Sequence, residues 1–128
     1  MIVGIGVDII EVDRVAEKIL KEGFREKVFS AREIDFCESK GNNRAQHYAA
    51  RFCAKEAFLK ATGRGMLLSN ELREIEVDVT DEGKPVIHLS GDPAGLAREN
   101  KWRIHVTLSH VIAAACAMVV IESNETAT

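Results

Sequence analysis

Hydrophobic and polar positions alternate through residues 2–10, the first apolar segment of the chain. Branched apolar residues occupy every second position, and the positions between them hold Gly4, Gly6 and Asp8. A period of two predicts a β-strand whose side chains point to opposite faces. Glycine weakens a strand interior, so two glycines on one face indicate that a helix, another backbone or a ligand approaches closely. Asp8 is predicted to point to that same side.

Three helices are predicted between the first strand and residue 63. The first has an apolar stripe of Val15, Ala16, Ile19 and Leu20. The second is predicted from Ser30-Ala31-Arg32-Glu33, which has the spacing of a capping box. Helix-capping and helix-ending residues set the expected limits of the three helices. In chain order these are Asp13 and Gly23, Ser30 and Gly41, and Asn42 or Asn43 and Gly63.

The second half of the chain predicts four strands and one helix. Residues 75–80 alternate, and the turn DEGKP leads into residues 86–89, which together predict a hairpin. Asp92 before Pro93 predicts a helix to about Asn100. Residues 102–108 alternate again, and the apolar run 111–121 predicts a buried strand. Strands grouped in this way favour an α+β fold with helices packed on a largely antiparallel sheet.

Length and composition are those of one globular domain. The chain has 128 residues, of which 46% are hydrophobic and 29% charged, which is enough for one core. We expect a single domain over residues 1–122 and a frayed tail over residues 123–128, because SNETAT offers nothing to bury.

Charge and cysteine content disfavour several classes of protein. Residues 1–60 hold 11 Lys/Arg against 10 Asp/Glu, and residues 61–128 hold 6 against 10, so a generally basic nucleic-acid binder is not indicated. Three cysteines without a close-spaced pair argue against a disulfide framework or a zinc site and favour a reducing cytoplasm. No basic-then-apolar leader opens the chain and residues 111–121 are too short to span a bilayer, so we expect no membrane anchor.

The segment RFCAKEAFLK, residues 51–60, concentrates charged groups on an otherwise apolar helix. At 3.6 residues per turn, Phe52, Glu56 and Lys60 form one row, and Lys55 lies on the neighbouring row. A carboxylate and an ammonium group in this setting suit a phosphate held by magnesium. The alternative is an ordinary i, i+4 ion pair on a solvated face, which contributes a few tenths of a kcal/mol.

The order GIGVDIIEVDR and then RFCAKEAFLKATGRG resembles the holo-[acyl-carrier-protein] synthases, the small 4'-phosphopantetheinyl transferases. The resemblance covers nearly the whole chain. It also includes Glu76-Val77 after a glycine-containing loop, GKP at Gly83 to Pro85, and LSH at Leu108 to His110.

The resemblance implies a reaction in which a serine of an apo acyl carrier protein attacks the pyrophosphate of coenzyme A. Adenosine 3',5'-bisphosphate leaves, and the carrier keeps the phosphopantetheine arm, a step of fatty acid biosynthesis. By resemblance, Asp8 and Glu56 hold Mg²⁺, and the base is Glu56 or a water on the metal. Lys60 would neutralise the pyrophosphate, with Lys55 as a second cation.

The resemblance also implies contacts to the coenzyme from Gly63, Gly65, Lys84, Pro85 and His110. His110 would reach across a subunit boundary in a homotrimer, as in trimeric relatives. The chain departs from many relatives just after it, because Val111 and Ile112 stand where polar or charged residues are common. His47, His88 and His105 match no family role.

An acidic carrier protein should dock on a basic face, for which the candidates are Arg14, Lys21, Arg25 and Arg51. Glu17 and Glu22 are interleaved with them, so a solvated charged helix is the alternative. Two other functions stay open at this point. One is a phosphate-binding module without transferase activity, and the other is an oligomerising domain whose glycine face and apolar strand serve packing alone.

Overall fold

The computed structural model describes residues 1–63 and 72–124. The strands and α-helices are β1 (Ile2–Glu11), α1 (Val12–Lys18), α2 (Phe24–Val28), α3 (Ala31–Glu38), α4 (Arg44–Thr62), β2 (Ile75–Val79), β3 (Pro85–Leu89), α5 (Gly91–Asn100), β4 (Trp102–His110) and β5 (Ala114–Ser123). Short 3-10 turns at Gly41–Asn43 and Leu72–Glu74 precede α4 and β2.

The strands pair antiparallel and lie in two sheets. The larger sheet has the order β1-β5-β4, and β2 with β3 forms a separate hairpin sheet. The predicted α+β class is confirmed, with the strands divided between two sheets rather than joined in one.

Helix α4 lies against β1 and β5 and forms the centre of the core. The buried residues of β5 alternate along the strand, as expected for one covered face: Ala115, Ala117, Val119 and Ile121. The helix side of this contact is rich in alanine, which lets a helix approach a sheet closely. At one end the rings of Phe58 and Trp102 meet edge to face, with centroids 6.4 Å apart.

The first helix is shorter than the sequence pattern predicts. Its N-cap is Glu11 rather than Asp13, which lies in the first turn, and it ends at Lys18. The following residues form tighter turns, and the chain then begins α2 after Gly23, whose φ is 82°. Leu20, predicted in the apolar stripe, is 73% exposed because it lies beyond the helix.

The caps of α3 and α4 largely follow prediction. Ser30 Oγ accepts a hydrogen bond from Glu33 N at 3.2 Å, and Ser30 N donates to Glu33 Oε1 at 2.9 Å, so the capping box is confirmed. Asn43 is the N-cap of α4, although its side chain makes no capping hydrogen bond. The helix ends at Gly63, in the left-handed conformation that glycine favours.

The two last strands and α5 differ slightly from prediction. α5 has Ser90 as its N-cap, so Pro93 lies inside the first turn rather than at its start. β5 begins at Ala114 rather than at Val111, because the chain reverses there and Val111 N donates to Ala114 O at 2.8 Å. As a result Val111 and Ile112 are exposed, Ile112 by 82%.

Ser123, the last residue of β5 and the first of the predicted frayed tail, is still paired: its N–H donates to Met1 O at 2.9 Å. Asn124 N donates to Lys101 O at 2.9 Å. The predicted frayed tail otherwise lies outside the described residues. Within residues 1–63 and 72–124, no helix is both long and apolar enough to cross a membrane.

Glu38, the last residue of α3, connects three helices. Its carboxylate accepts hydrogen bonds from Tyr48 Oη at 2.7 Å, Arg44 at 2.7 Å and Arg25 at 2.9 Å. The hydrogen bond from Tyr48, followed by those from Arg44 and Arg25, lowers the pKa of Glu38 to about 2 despite partial burial. The carboxylate is therefore ionised throughout the physiological range.

Candidate active site

The close approach predicted for the glycine face of β1 is made by helix α4. A Cβ at Gly4 would overlap the carbonyl oxygen of Ala61, and a Cβ at Gly6 would overlap that of Ala57. Asp8 is the next residue in this row, so its side chain extends toward the preceding turn of α4. The two glycines thus allow helix and strand to touch, and they place Asp8 beside the turns that carry Glu56 and Lys60.

Asp8 and Lys60 form an ion pair across this contact. Lys60 Nζ lies 3.1 Å from Asp8 Oδ1 and donates a second hydrogen bond to Val7 O at 3.0 Å. The Asp8 side chain is 18% exposed and that of Lys60 is 56% exposed, so the pair lies at the protein surface. A substrate can reach the ammonium group of Lys60 from solvent.

Glu56 is half-buried next to this pair. Burial raises the pKa of its carboxyl group, the negative charge of Asp8 raises it further, and Lys60 and Lys18 act in the opposite direction. No hydrogen bond or ion pair to its carboxylate is found within the described ranges. Asp8 and Glu56 therefore interact electrostatically, and Lys18 is a nearby cation that the sequence analysis did not assign to the site.

The two carboxylates fit a magnesium ion in their chemistry. Mg²⁺ prefers oxygen ligands and is usually held by one or two carboxylates together with substrate phosphates and waters. Among the described residues no cluster of three or more His, Cys, Asp or Glu side chains could hold a metal. Asp8 and Glu56 alone would thus leave most coordination positions to a diphosphate and to water.

Cys53 lies beneath the site and does not supply a nucleophile. Its thiol donates to Ala115 O at 3.4 Å, and it is fully buried. Burial, and then the charge of Asp8, raises the pKa of Cys53 to about 12, so it is protonated at neutral pH. The three cysteines are free.

The structure does not bring Lys55 to this site, contrary to the predicted coenzyme contact. Its side chain is 0% exposed, and Nζ donates to Glu33 Oε1 at 2.7 Å, Ile75 O at 2.6 Å and Leu72 O at 3.1 Å. All three ammonium donors are thus used inside the protein. Burial lowers the pKa of Lys55, whereas the charge of Glu33 opposes this shift.

A cavity of about 270 Å³ lies on another side of α4, between α3, α4, the β2–β3 hairpin and β4. Two residues with predicted coenzyme contacts, Pro85 and His110, line it. The cavity is also lined by Gly83, Phe36, His47 and Arg51. The structure therefore places these two predicted residues together, away from Asp8.

Arg51 was predicted on the carrier-binding face, and the structure instead buries it in the wall of this cavity. It is 3% exposed, and its guanidinium carbon lies 4.1 Å from the ring centroid of Phe36. Its Nε has no hydrogen-bond partner within the described part of the chain. The residues three positions away on either side, Tyr48 and Ala54, share its face of α4 and were the sequence signal that this arginine faces inward.

His110 is held at the mouth of the cavity by α4. Its Nδ1 lies 2.9 Å from Gln46 Oε1, and its ring meets that of His47 edge to face at 5.0 Å. Burial, together with the nearby His110 and Arg51, lowers the pKa of His47 to about 4, so His47 is neutral at physiological pH. The sequence analysis assigned no role to Gln46 or His47.

The remaining coenzyme candidates lie at turns. Gly63 ends α4, one turn beyond Lys60, with its N–H bonded to Lys60 O. Lys84 is exposed in the hairpin turn, where its N–H donates to Thr80 Oγ1 at 3.1 Å. Gly65 lies outside the described residues.

Of the predicted carrier-binding residues, some are exposed and others are held in contacts within the protein. Arg14 on α1 and Lys21 beyond its end are exposed, and Lys21 lines a surface cavity together with Gly23, Phe24 and Lys27. Arg25 is partly buried in its ion pair with Glu38.

Comparisons with known proteins show the family of this chain. A family model described as the 4'-phosphopantetheinyl transferase superfamily matches residues 4–116. A holo-[acyl-carrier-protein] synthase of Cytophaga hutchinsonii is 43% identical over 128 residues, covering 97% of this chain and 100% of the relative. Another, from Syntrophus aciditrophicus, is 42% identical and covers 95% of this chain and 97% of the relative.

Solved structures show the same fold. A holo-(acyl-carrier-protein) synthase of Bacillus anthracis, in complex with CoA (3',5'-ADP), superposes with a TM-score of 0.79 at 37% identity, covering 97% of this chain and 99% of that one. The holo-[acyl-carrier-protein] synthase of Neisseria meningitidis gives a TM-score of 0.86 at 28% identity, with 96% and 100% covered. The chain therefore belongs to the holo-[acyl-carrier-protein] synthases of the 4'-phosphopantetheinyl transferase superfamily.

Proposed function

We propose that this enzyme transfers the 4'-phosphopantetheine group of coenzyme A to a serine of an apo acyl carrier protein. The observation that carries the proposal is the placement of Asp8, Glu56 and Lys60 together at the β1–α4 contact in a chain of this family. The complex of the Bacillus anthracis relative with CoA (3',5'-ADP) supports coenzyme A as the donor.

In the reaction, the serine oxygen forms a bond to the phosphorus that carries the pantetheine arm. The bond from that phosphorus to the oxygen of the adenosine 3',5'-bisphosphate group breaks, and this nucleotide leaves. Glu56, or a water molecule held beside it, accepts the serine proton, because a carboxylate oxygen is a suitable general base for a hydroxyl group at this position. Lys60 places its positive charge against the phosphoryl oxygens, where negative charge accumulates in the transition state.

Magnesium would be held by Asp8 and Glu56 and would supply charge neutralisation on the diphosphate oxygens. Lys60 is paired with Asp8 through Oδ1, so Oδ2 of the same carboxylate is the oxygen that a metal ion would use. We therefore expect transfer to depend on a divalent cation.

The nucleotide end of coenzyme A would occupy the cavity lined by Pro85, His110 and Arg51. Arg51 supports this assignment because a buried guanidinium whose Nε has no partner among residues 1–63 and 72–124 suits an anion. Lys84, exposed beside Pro85, adds a second cation at the rim. Gly63, where α4 ends beyond Lys60, remains a candidate for a backbone contact to the phosphates.

We further propose that the site is completed between subunits of a homotrimer. Arg51 and Glu56 are five positions apart on α4, which turns their side chains by about 140° around the helix axis. One coenzyme molecule cannot easily contact both sides of the same helix. The outer face of β1 is apolar and exposed, with Ile9 exposed by 73% and Val7 by 60%, and it offers a surface on which copies can join.

The acidic carrier would dock near Arg14 and Lys21, the exposed cations beside α1. Arg25 lies behind them and is held by Glu38. We place the activity in fatty acid biosynthesis in the cytoplasm, where the three free thiols would stay reduced.

The test is to incubate the enzyme with coenzyme A, Mg²⁺ and an apo carrier protein and to weigh the carrier by mass spectrometry. The carrier should gain the mass of the phosphopantetheine arm, and Glu56→Gln should abolish the gain without unfolding the protein. Glu99→Gln, at an exposed position of α5, is the matched control and should keep normal activity. An unmodified carrier, or normal transfer by Glu56→Gln, would refute the assignment.

A further inference from the structure

Two walls of the cavity proposed for the nucleotide belong to different structural units. One wall comes from α3 and α4 through Phe36, His47 and Arg51, and another comes from the β2–β3 hairpin through Gly83 and Pro85. The hairpin is a two-stranded sheet of its own and shares no strand ladder with the β1-β5-β4 sheet. Interactions other than hydrogen bonds between strands must therefore fix the distance between the β2–β3 hairpin and α4.

A buried ion pair, Lys55–Glu33, makes this connection along the edge of β2 that does not pair with β3. Lys55 Nζ donates to Ile75 O at 2.6 Å, and Glu33 Oε2 accepts from Val77 N at 2.9 Å. Lys55 and Glu33 also bond to each other at 2.7 Å, and both side chains are 0% exposed. The pair thus replaces a neighbouring strand, because it satisfies one carbonyl and one N–H group that β3 does not reach.

The same helices carry the pair and the opposite wall. Lys55 follows Arg51 by four residues and so lies one turn away on the same face of α4. Glu33 precedes Phe36 by three residues on α3 and lies near it in the same way. A change in the length of the Glu33–Lys55 bridge would move Ile75 and Val77, and with them the hairpin, relative to both helices.

We propose that Lys55 and Glu33 are positioning residues that set the width of the nucleotide cavity. This inference rests on the function proposed above, since it assigns the cavity to the nucleotide end of coenzyme A. Neither residue touches substrate. They act on affinity for the coenzyme and leave the proton transfer and phosphoryl contacts at Glu56 and Lys60 unchanged.

The experiment compares Lys55→Met combined with Glu33→Gln against the wild-type enzyme, because the double variant removes both buried charges together. The dissociation constant of adenosine 3',5'-bisphosphate, measured by calorimetry, and the KM for coenzyme A should both rise about tenfold or more. The kcat at saturating coenzyme should stay within about threefold of wild type, as expected when binding is lost equally in the ground state and the transition state. Arg32→Gln is the matched control, because Arg32 also joins α3 to β2, through an exposed ion pair to Asp78. This variant should leave the dissociation constant and the KM unchanged.

A folded double variant with wild-type affinity and KM would overturn the proposal, as would an equal rise in the Arg32→Gln control. A merely structural pair would lower the melting temperature without this split between KM and kcat. If the double variant does not fold, Glu33→Asp decides, because it keeps both charges and shortens the Glu33–Lys55 bridge by one methylene group. A higher dissociation constant for adenosine 3',5'-bisphosphate with kcat retained supports the proposal, and wild-type affinity overturns it. The nucleotide-binding measurement does not require turnover, so a failure of transferase activity is seen separately.

Discussion

Replacing Gly6 by alanine tests whether the direct contact between β1 and α4 assembles the active site. The added Cβ would overlap Ala57 O and lie only 2.8 Å from Ala61 N and 2.9 Å from Ala57 C. These are backbone atoms in the middle of a helix, so they cannot rotate away as a side chain would, and α4 as a whole must withdraw from the strand. Overpacking of this kind costs about 3 kcal/mol at the upper end of its usual range. For a domain of this size we expect the melting temperature to fall by roughly 12 °C.

The activity should fall by more than the loss of stability explains. Withdrawal of α4 moves Glu56 and Lys60 away from Asp8, and a displacement near 1 Å can lower a rate by about a hundredfold. The assay is carrier modification at a temperature where the variant is folded, alongside thermal unfolding followed by circular dichroism. Gly95→Ala is the control, because the nearest atom to its added Cβ is 3.9 Å away on a flexible arginine and alanine favours the helix. A Gly6→Ala protein with unchanged melting temperature and rate would refute the role given to this contact.

Three further predictions concern other parts of the molecule. Glu38 has its pKa lowered from 4.5 to about 2 in the folded protein, so its ionised form stabilises the fold above pH 4.5 and this contribution is lost as the pH falls toward 2. Urea unfolding should therefore show a smaller loss of stability between pH 5 and 3 in Glu38→Gln than in wild type, and equal slopes would contradict this. In the native protein at pH 8 a thiol reagent should modify partly exposed Cys116 faster than buried Cys37 and Cys53, each with a pKa of about 12, and rapid reaction of all three would contradict their burial. Arg14→Glu should raise the KM for the carrier at low salt, with the difference shrinking as salt is added, and an unchanged KM at low salt would exclude Arg14 from docking.

The sequence predicted local structure correctly where the contacts that determine it are made between residues a few positions apart in the chain. The Ser30–Glu33 capping box, the glycine that ends α4 and the β2–β3 hairpin are formed by neighbours in sequence, and their residue types predict them. The sequence pattern predicts a first helix that is longer than α1, because the apolar period continues through Leu20. Only the turn after Lys18 removes that residue from the core, and the sequence pattern carries no sign of it.

The roles of single charged residues depended on partners distant in sequence. Spacing along α4 placed Glu56 and Lys60 in one row, and the glycines of β1 predicted a close neighbour, but the identity of that neighbour came from the packing of residues 4–8 on residues 53–61. Lys55 and Arg51 illustrate the limit more sharply. As charged residues, both were predicted to contact substrates. In the structure Arg51 is buried, and Lys55 binds Glu33 and the carbonyl groups of Leu72 and Ile75.

Fold class and most of the secondary structure could thus be predicted from the chain itself, because they follow from side-chain periodicity and turn residues, and a motif of carboxylates and amines predicted the chemistry proposed for the site. Which charged groups face solvent, which are buried as ion pairs, and which cavity each one lines were decided by tertiary packing. The physical reason is that burying a charge is unfavourable unless a partner is supplied, and the partners of Lys55 come from segments that are brought together only when the chain folds.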